Sequence, residues 1–468
     1  MKGASRQQKI GQVMLKKVLA TSLNALLLGL ASSLALATAT PEQVASLGGD
    51  VYTPVGAERA GNAAGTIPAW QDGLDTVPEG DISNEGLKDP FAGEAELFRI
   101  SAANVDQYKD NLSDGQVALL RKYPDTYYLP VYPSHRVSTY PEEVLANVKA
   151  SAAEVDMVPG GNGLLNLNGS TVPFPFPHSA LEVIWNHINR FRGGSVERTY
   201  TQIPVQANGN FSPIVFRDRL VFASWLPKGS VDDNRLFLYL QQIMEPARLE
   251  GDILLVHENI DQKKEPRNAW VYNAGQRRVR RAPNVAYDGP GRASESLRTS
   301  DDLDGYNGAP DRYDWKLLGK REMYIGTNAY RLYDKSLKYS DILLPGHINP
   351  EYTRYELHRV WVVEATLKPE ARHIYARRVF YIDEDTWSIA LKDQYDGRGE
   401  LWRVGQGQGV YHYDAKVPWG TEIQNDLISG RYLVTGLDNE VKKHGYIWGL
   451  EASPQDFTPA ALRRSGRK

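Results

Sequence analysis

The stretch 351–395 constrains the fold more than any other, because it holds three runs of strand character joined by two short turns. From Leu357 to Leu367 the odd positions Leu357, Trp361, Val363, Ala365 and Leu367 are apolar, while Glu356, His358, Glu364 and Thr366 intervene. That period of two marks a half-buried antiparallel strand. A turn at 368–371 would set Leu367 opposite Arg372, so that Ile374, Ala376, Phe380 and Ile382 meet the apolar face. A second turn at 383–386 would set Trp387 opposite Ile382. Arg359 and Arg378 then stand on the greasy side, where a charge needs a partner. In this register Leu391 faces Arg378 and Asp393 is its diagonal neighbour, which predicts an Arg378–Asp393 ion pair with Trp361 stacked on the guanidinium. The functional alternative is that Arg359 or Arg378 reaches into a cavity over the oily face and fixes the acidic head of an amphiphile.

The aromatic balance points the same way, since 26 Tyr and 10 Trp against 5 Met favour pleated surfaces over helical bundles. Cysteine is absent, which excludes disulfides, thiolate metal sites, cysteine nucleophiles and a lipidated N-terminal Cys. Lys2, Arg6, Lys9, Lys16 and Lys17 precede an apolar run over 18–36, and Ala35-Leu36-Ala37 or Ala37-Thr38-Ala39 fits a cleavage site. Residues 1–37 therefore read as a secretory signal peptide, with Met14 as an alternative start. Without them 49 basic residues face 57 acidic ones, a net charge of −8, which disfavours nucleic acid as a partner. No later stretch has the length of a bilayer span.

Residues 38–100 read as an extended arm rich in Gly, Ala and Pro, docked through Ile67 and Trp70. Residues 101–453 read as one β-rich domain, with helices over about 101–192 and a sheet over about 198–437, followed by a basic tail at 454–468. Ser113-Asp114-Gly115-Gln116 is a capping box, Thr139-Tyr140-Pro141-Glu142 opens a second helix in the same way, and a third spans 180–192. Leu181, Ile184, Trp185, Ile188 and Phe191 form the apolar face of that third helix. Strands are expected at 199–206, 214–225, 236–245, 252–259, 269–272, 277–282, 315–325, 329–337, 401–413 and 421–437. The intervening 283–314 has no periodicity, which suits a functional lid or a disordered loop.

Catalytic signatures are absent: there is no Gly-x-Ser-x-Gly elbow, no phosphate loop and no His-Glu-x-x-His. The Gly-Gln-Gly-Gln-Gly run at 405–409 has the wrong spacing for a dinucleotide turn and reads as a closely approached or bulged strand. His358 and His373 lie too far apart along the hairpin to share a metal, so no metal site and no cofactor are expected. Asp301, Asp302 and Asp304 imitate a calcium loop, but Asn307 falls where the turn needs Gly, and a solvated loop is expected instead. Glu258, Glu364 and Asp393 are the carboxylates a glycan hydrolase could use.

Three long motifs carry a resemblance: Thr53-Pro54-Val55-Gly56-Ala57-Glu58-Arg59-Ala60-Gly61-Asn62 with its continuation to Trp70, Pro173-Phe174-Pro175 with Ile184-Trp185-Asn186-His187, and the run from Arg354 to Val363. Together they are similar to the secreted proteobacterial domain-of-unknown-function family 1329. A looser resemblance, on Ala269-Trp270-Val271-Tyr272-Asn273, Arg278-Val279-Arg280-Arg281 and Tyr375 to Asp383, is to outer-membrane lipoprotein-sorting proteins of the LolA/LolB type. It implies a mainly β fold with α: a large curved antiparallel sheet, an incomplete β-barrel, plugged by helices around a hydrophobic cavity. It also implies a non-catalytic periplasmic carrier of a hydrophobic or amphiphilic, lipid-like ligand, working beside an RND-type envelope transporter. Size, the 283–314 loop and the missing lipobox Cys depart from that pattern. In such a fold Trp185 and Phe191 on the helix, with Trp361, Phe380 and Ile389 on the sheet, would line the cavity, and Arg359 or Arg378 would anchor the ligand. An envelope assembly factor with a filled core, or an envelope hydrolase, are the alternatives.

Overall fold

A computed structural model describes residues 39–465 apart from 75, 79–85, 284 and 443–444. The expected signal peptide, and Arg467 and Lys468 of the expected tail, lie outside the described residues. The strands are β1 (Phe98–Ile100), β2 (Leu129–Val131), β3 (Asp156–Met157), β4 (Leu164–Leu165), β5 (Ser195–Val205), β6 (Ile214–Phe222), β7 (Arg235–Glu245), β8 (Ile253–Asn259), β9 (Asn268–Asn273) and β10 (Arg278–Arg281). They continue with β11 (Tyr313–Gly326), β12 (Leu343–Leu344), β13 (His347–Ile348), β14 (Tyr355–Leu367), β15 (Arg377–Asp383), β16 (Ile389–Tyr395), β17 (Leu401–His412), β18 (Val417–Asp426), β19 (Tyr432–Leu437) and β20 (Tyr446–Trp448). Sixteen of them form one sheet, in the order β1-β2-β14-β15-β16-β17-β18-β19-β5-β6-β7-β8-β9-β10, with β11 on β14 and β20 on β5. Its pairings are antiparallel except for single parallel bridges at Tyr355–Val131 and Gly326–Gln408, so the sheet is mixed and does not close into a barrel.

The meander of β14, β15 and β16 is present, but both of its registers differ from expectation. Val363 pairs with Phe380, so the first hairpin is shifted by four residues and has a long loop in place of a tight turn. The shift is even, so Phe380, Ile382 and Arg378 keep the expected face. In the second hairpin Arg378 pairs with Gln394 and Val379 with Asp393, with a bulge between Tyr381 and Ile382. Trp387 at φ +55° and the turn bonds Trp387 N to Asp383 O and Asp383 N to Ser388 O absorb the odd residue. An odd slip moves every following side chain to the other face, which places Asp393 on the side opposite Arg378.

The expected division into oily and wet faces is overturned as well. β14 is buried on both sides along most of its length. Val360, Val362, Val379, Tyr381 and Leu391 pack with Met323 and Ile325 of β11 in one core cluster, on the face expected to be wet. Across the strands the other face runs Arg378, Gln394, Arg403, Asp426 in one row and Phe380, Lys392, Gly405, Gln424 in the next.

The helix Asp114–Lys122 carries the expected Ser113/Gln116 capping box and lies on β17. The helix Glu142–Glu154 starts from Pro141 with no side-chain cap, so Thr139 does not open it. The third helix, Ala180–Asn189, is capped by Ser179 and Glu182 and ends at Arg190, ahead of Gly193-Gly194. The strand expected at 329–337 is a 3-10 turn at Tyr330–Tyr333, with Tyr330, Leu332 and Tyr333 packed in a core cluster. In the arm Ile67 and Trp70 are buried, and the Trp70 indole donates to Ser138 O at 3.0 Å.

Candidate functional site

The polar face of β15 to β18 is a cradle, and residues 285–312 lie in it. Three aspartates of this segment meet the cations of the cradle. Asp301 accepts from Arg378 Nη2 at 2.8 Å, Asp302 from Lys392 Nζ at 3.1 Å and Gln394 Nε2 at 2.7 Å, and Asp304 from Arg190 at 2.5 Å and from Arg192. Asp301 and Asp302 are each 1% exposed, so the acidic cluster is an interior one and the expectation of a solvated loop fails. The loop packs because interior carboxylates require nearby cations, and the sheet and the third helix supply them. Burial would raise the pKa of these carboxyls, but Arg378 beside Asp301, Lys392 beside Asp302 and Arg190 beside Asp304 outweigh it and hold all three below the usual carboxylate range. Apolar contacts seal the segment: Tyr306 lies 5.5 Å from the rings of both Phe380 and Trp315. Gly305, at φ +75°, passes so close to Ile389 that a Cβ there would meet its side chain at 2.8 Å. The His187 imidazole spans the junction: burial with Arg190 nearby pushes it down to about 3, so the neutral ring donates from Nε2 to Asp304 O at 2.7 Å and accepts at Nδ1 from Ile389 N at 3.2 Å.

The seven residues expected to line one cavity are dispersed. Arg378, fully buried, is held by Asp301 and by the rings of Tyr313 and Tyr375, each 5.0 Å away, and pairs with neither Asp393 nor Trp361. Arg359 bonds Glu384 at 2.7 Å, Glu58 O at 3.0 Å and Ala60 O at 2.7 Å, tying the N-terminal arm to the sheet. Trp361 stacks near Trp387 at 6.4 Å with Lys320 at 4.8 Å, and Phe380 stacks on Trp315. The Trp185 indole donates to Gly161 O, and Phe191 faces Trp225 at 6.1 Å. Ile389 lines a cleft with about 80 Å3 of room, together with His187, Arg190, Asp304, Glu422 and Gly407. The hydrolase carboxylates do not converge either: Glu258 pairs with Arg267 at 2.6 Å and Glu364 with Arg377 at 3.1 Å. Asp393 accepts from Ser113 Oγ and Gly115 N, both at 3.1 Å, beneath the first turn of the helix Asp114–Lys122.

A larger groove of about 600 Å3 opens elsewhere, between the Leu164–Gly169 turn, the end of the third helix and the connection from β6 to β7. Leu164, Leu167, Phe222, Leu226, Leu236 and Ile260 give it apolar walls. Asn189 Oδ1 and Arg235 Nη1, on residues that line it, are buried without a hydrogen-bond partner among the described residues. No sequence pattern marked this groove, because its walls come from three separate connections.

A family profile described as "Protein of unknown function (DUF1329)" matches residues 99–463. The chain belongs to this family. An uncharacterized protein of Pseudomonas aeruginosa is 53% identical over 445 residues, covering 94% of this DUF1329 chain and 97% of that protein. Among solved structures, a putative outer membrane lipoprotein-sorting protein domain from Vibrio parahaemolyticus aligns at 15% identity and TM-score 0.41, over 58% of this chain and 93% of that one. A DUF1329 family protein from Desulfovibrio piger aligns at 15% identity and TM-score 0.40, over 57% and 91%. A LolA superfamily protein from Nitrosomonas europaea aligns at 13% identity and TM-score 0.35, over 60% and 97%. Among the described residues no helix is long and apolar enough to cross a membrane.

Proposed function

We propose that this DUF1329 protein is a non-catalytic carrier or binding protein of the periplasm whose ligand is an amphiphile with an apolar tail and an anionic head. The observation that supports it is the groove beside the third helix: its volume of about 600 Å3 falls within the roughly 300–1,000 Å3 of small-molecule sites. Leucine, isoleucine and phenylalanine on its walls take an acyl chain, while Lys228, Asp232, Asp233 and Arg235 make the rest of the lining polar. Arg235 supplies the head-group contact, since it lines the groove and its Nη1 is buried without a hydrogen-bond partner among the described residues. The cradle expected to hold the ligand is filled by residues 285–312, so the groove takes its place in this reading. Delivery to or from an RND-type transporter is the part that rests on the family resemblance alone.

The test uses native mass spectrometry of the protein purified gently from its own envelope, and titration with dansyl-labelled undecanoic acid. A lipid-sized adduct, with saturable probe binding that Leu167→Trp abolishes and Arg235→Gln weakens about tenfold, supports the reading. A bare mass together with probe binding indifferent to both variants overturns it.

A further inference from the structure

The structure assigns a divalent metal site to His358, Asp383 and Asp385, where the turn after β15 meets β14. Their donor atoms, one imidazole nitrogen and two carboxylate oxygens, all lie within 4.8 Å of one another, and all three residues are buried. His358 Nδ1 and Asp383 Oδ1 face each other at 3.5 Å, and neither has a hydrogen-bond partner among the described residues. Two buried acceptor lone pairs at that distance repel unless a cation lies between them, and the choice is between a proton on the imidazole and a metal ion.

The surroundings fit the metal. A metal-bound histidine usually offers its other ring N–H to a carboxylate, and His358 Nε2 meets Glu356 Oε2 at 3.1 Å, which leaves Nδ1 as the ligating nitrogen. Asp383 Oδ2 is held by Thr386 Oγ1 at 2.7 Å and Thr386 N at 3.1 Å, which leaves Oδ1 turned to the site. Arg136 holds Asp385 through Nε at 2.7 Å and Nη2 at 2.8 Å, which orients the third ligand and neutralises one of the two carboxylate charges. Each ligand thus has an outer partner, as built metal sites require. Arg354 on Glu356, with Arg359 and Lys320 on Glu384, are further cations of the same network, and each is already paired. Access exists too, because Asp383 and Thr386 line the cleft of about 80 Å3. One imidazole with two carboxylates suits a first-row transition ion such as Zn2+ or Mn2+ better than Ca2+ or Mg2+, which prefer oxygen alone.

The experiment is calorimetric titration of the chelator-treated full protein with ZnCl2 and with MnCl2, alongside thermal melts. The expected result is one ion per chain, a melting temperature that rises with metal, and at least a tenfold loss of affinity in Asp383→Asn. His178→Gln, at an exposed histidine, is the control and should bind as wild type does. Should Asp383→Asn fail to fold, the absorption spectrum of Co2+ on the wild-type protein reports nitrogen and oxygen ligation without a variant. Absence of stoichiometric Zn2+ or Mn2+ binding, or binding lost in His178→Gln and kept in Asp383→Asn, overturns the assignment and leaves the pair bridged by a proton.

Discussion

Replacing Arg378 by Met tests whether residues 285–312 are held in the sheet by charge. Arg378 is fully buried, with its guanidinium 2.8 Å from Asp301 and 4.0 Å from Asp302. Methionine fills much of the same volume, so the lost term is electrostatic. Asp302 keeps Lys392 at 3.1 Å, whereas Asp301 is left with Thr299 Oγ1 at 2.6 Å and His373 Nε2 at 3.2 Å. One interior carboxylate therefore loses its main cation, a change that costs about 3–5 kcal/mol when a buried pair is broken from one side. Arg378→Met with Asp301→Asn removes both charges, and the double variant should regain on the order of 2 kcal/mol of that loss. Urea unfolding followed by far-UV circular dichroism measures both values. Hydrogen exchange of the amides at 299–305 shows whether the loss is local, as release of this segment requires. A single-variant cost below about 1 kcal/mol, or a double variant no better than the single one, would refute the argument that charge pairing holds the segment.

Arg359→Met should cost about 2–3 kcal/mol, because charged hydrogen bonds to Glu384, Glu58 O and Ala60 O are lost together, and should open the arm near residues 58–62 to limited proteolysis. Burial, aided by Asp114, pushes the Asp393 carboxyl up to about 7 against the donors Ser113 and Tyr381. A raised acid stabilises the fold when protonated, so its contribution is present at low pH and is lost as pH rises from the ordinary value near 4 to about 7. Unfolding free energies from urea titrations across that window should fall, by up to about 4 kcal/mol in all, and Asp393→Asn should flatten the slope. Gly326→Ala places a Cβ 2.3 Å from Gly407 O, a backbone atom that cannot swing aside, and should lower stability by about 1–3 kcal/mol in the same assay.

Local signals in the chain were strong where chemistry and neighbours in sequence coincide. The Ser113 capping box, the strand at 355–367 and the glycines at 405–409 follow from rules of a few residues' reach, and Gly405 is indeed closely approached, by Lys392 carbons 2.4 Å from where its Cβ would stand. The register of the second hairpin was not legible. A bulge and a left-handed Trp387 add a single residue, and that residue decides whether Asp393 or Lys392 shares a face with Arg378. The 283–314 stretch has no periodicity because its partners are cations on other strands and on the third helix rather than its own neighbours. The same holds for the proposed metal ligands, since His358 and Asp385 look unrelated until β14 and the turn after β15 are side by side.

By itself, then, the sequence determined the class of structure: strands, their approximate bounds, the capped helices and the membership of a family. It did so because period, propensity and capping are short-range. Tertiary structure alone decided which face of the sheet is apolar, what fills the cradle and where an empty groove remains, because these depend on residue parity and on charge pairs between distant segments.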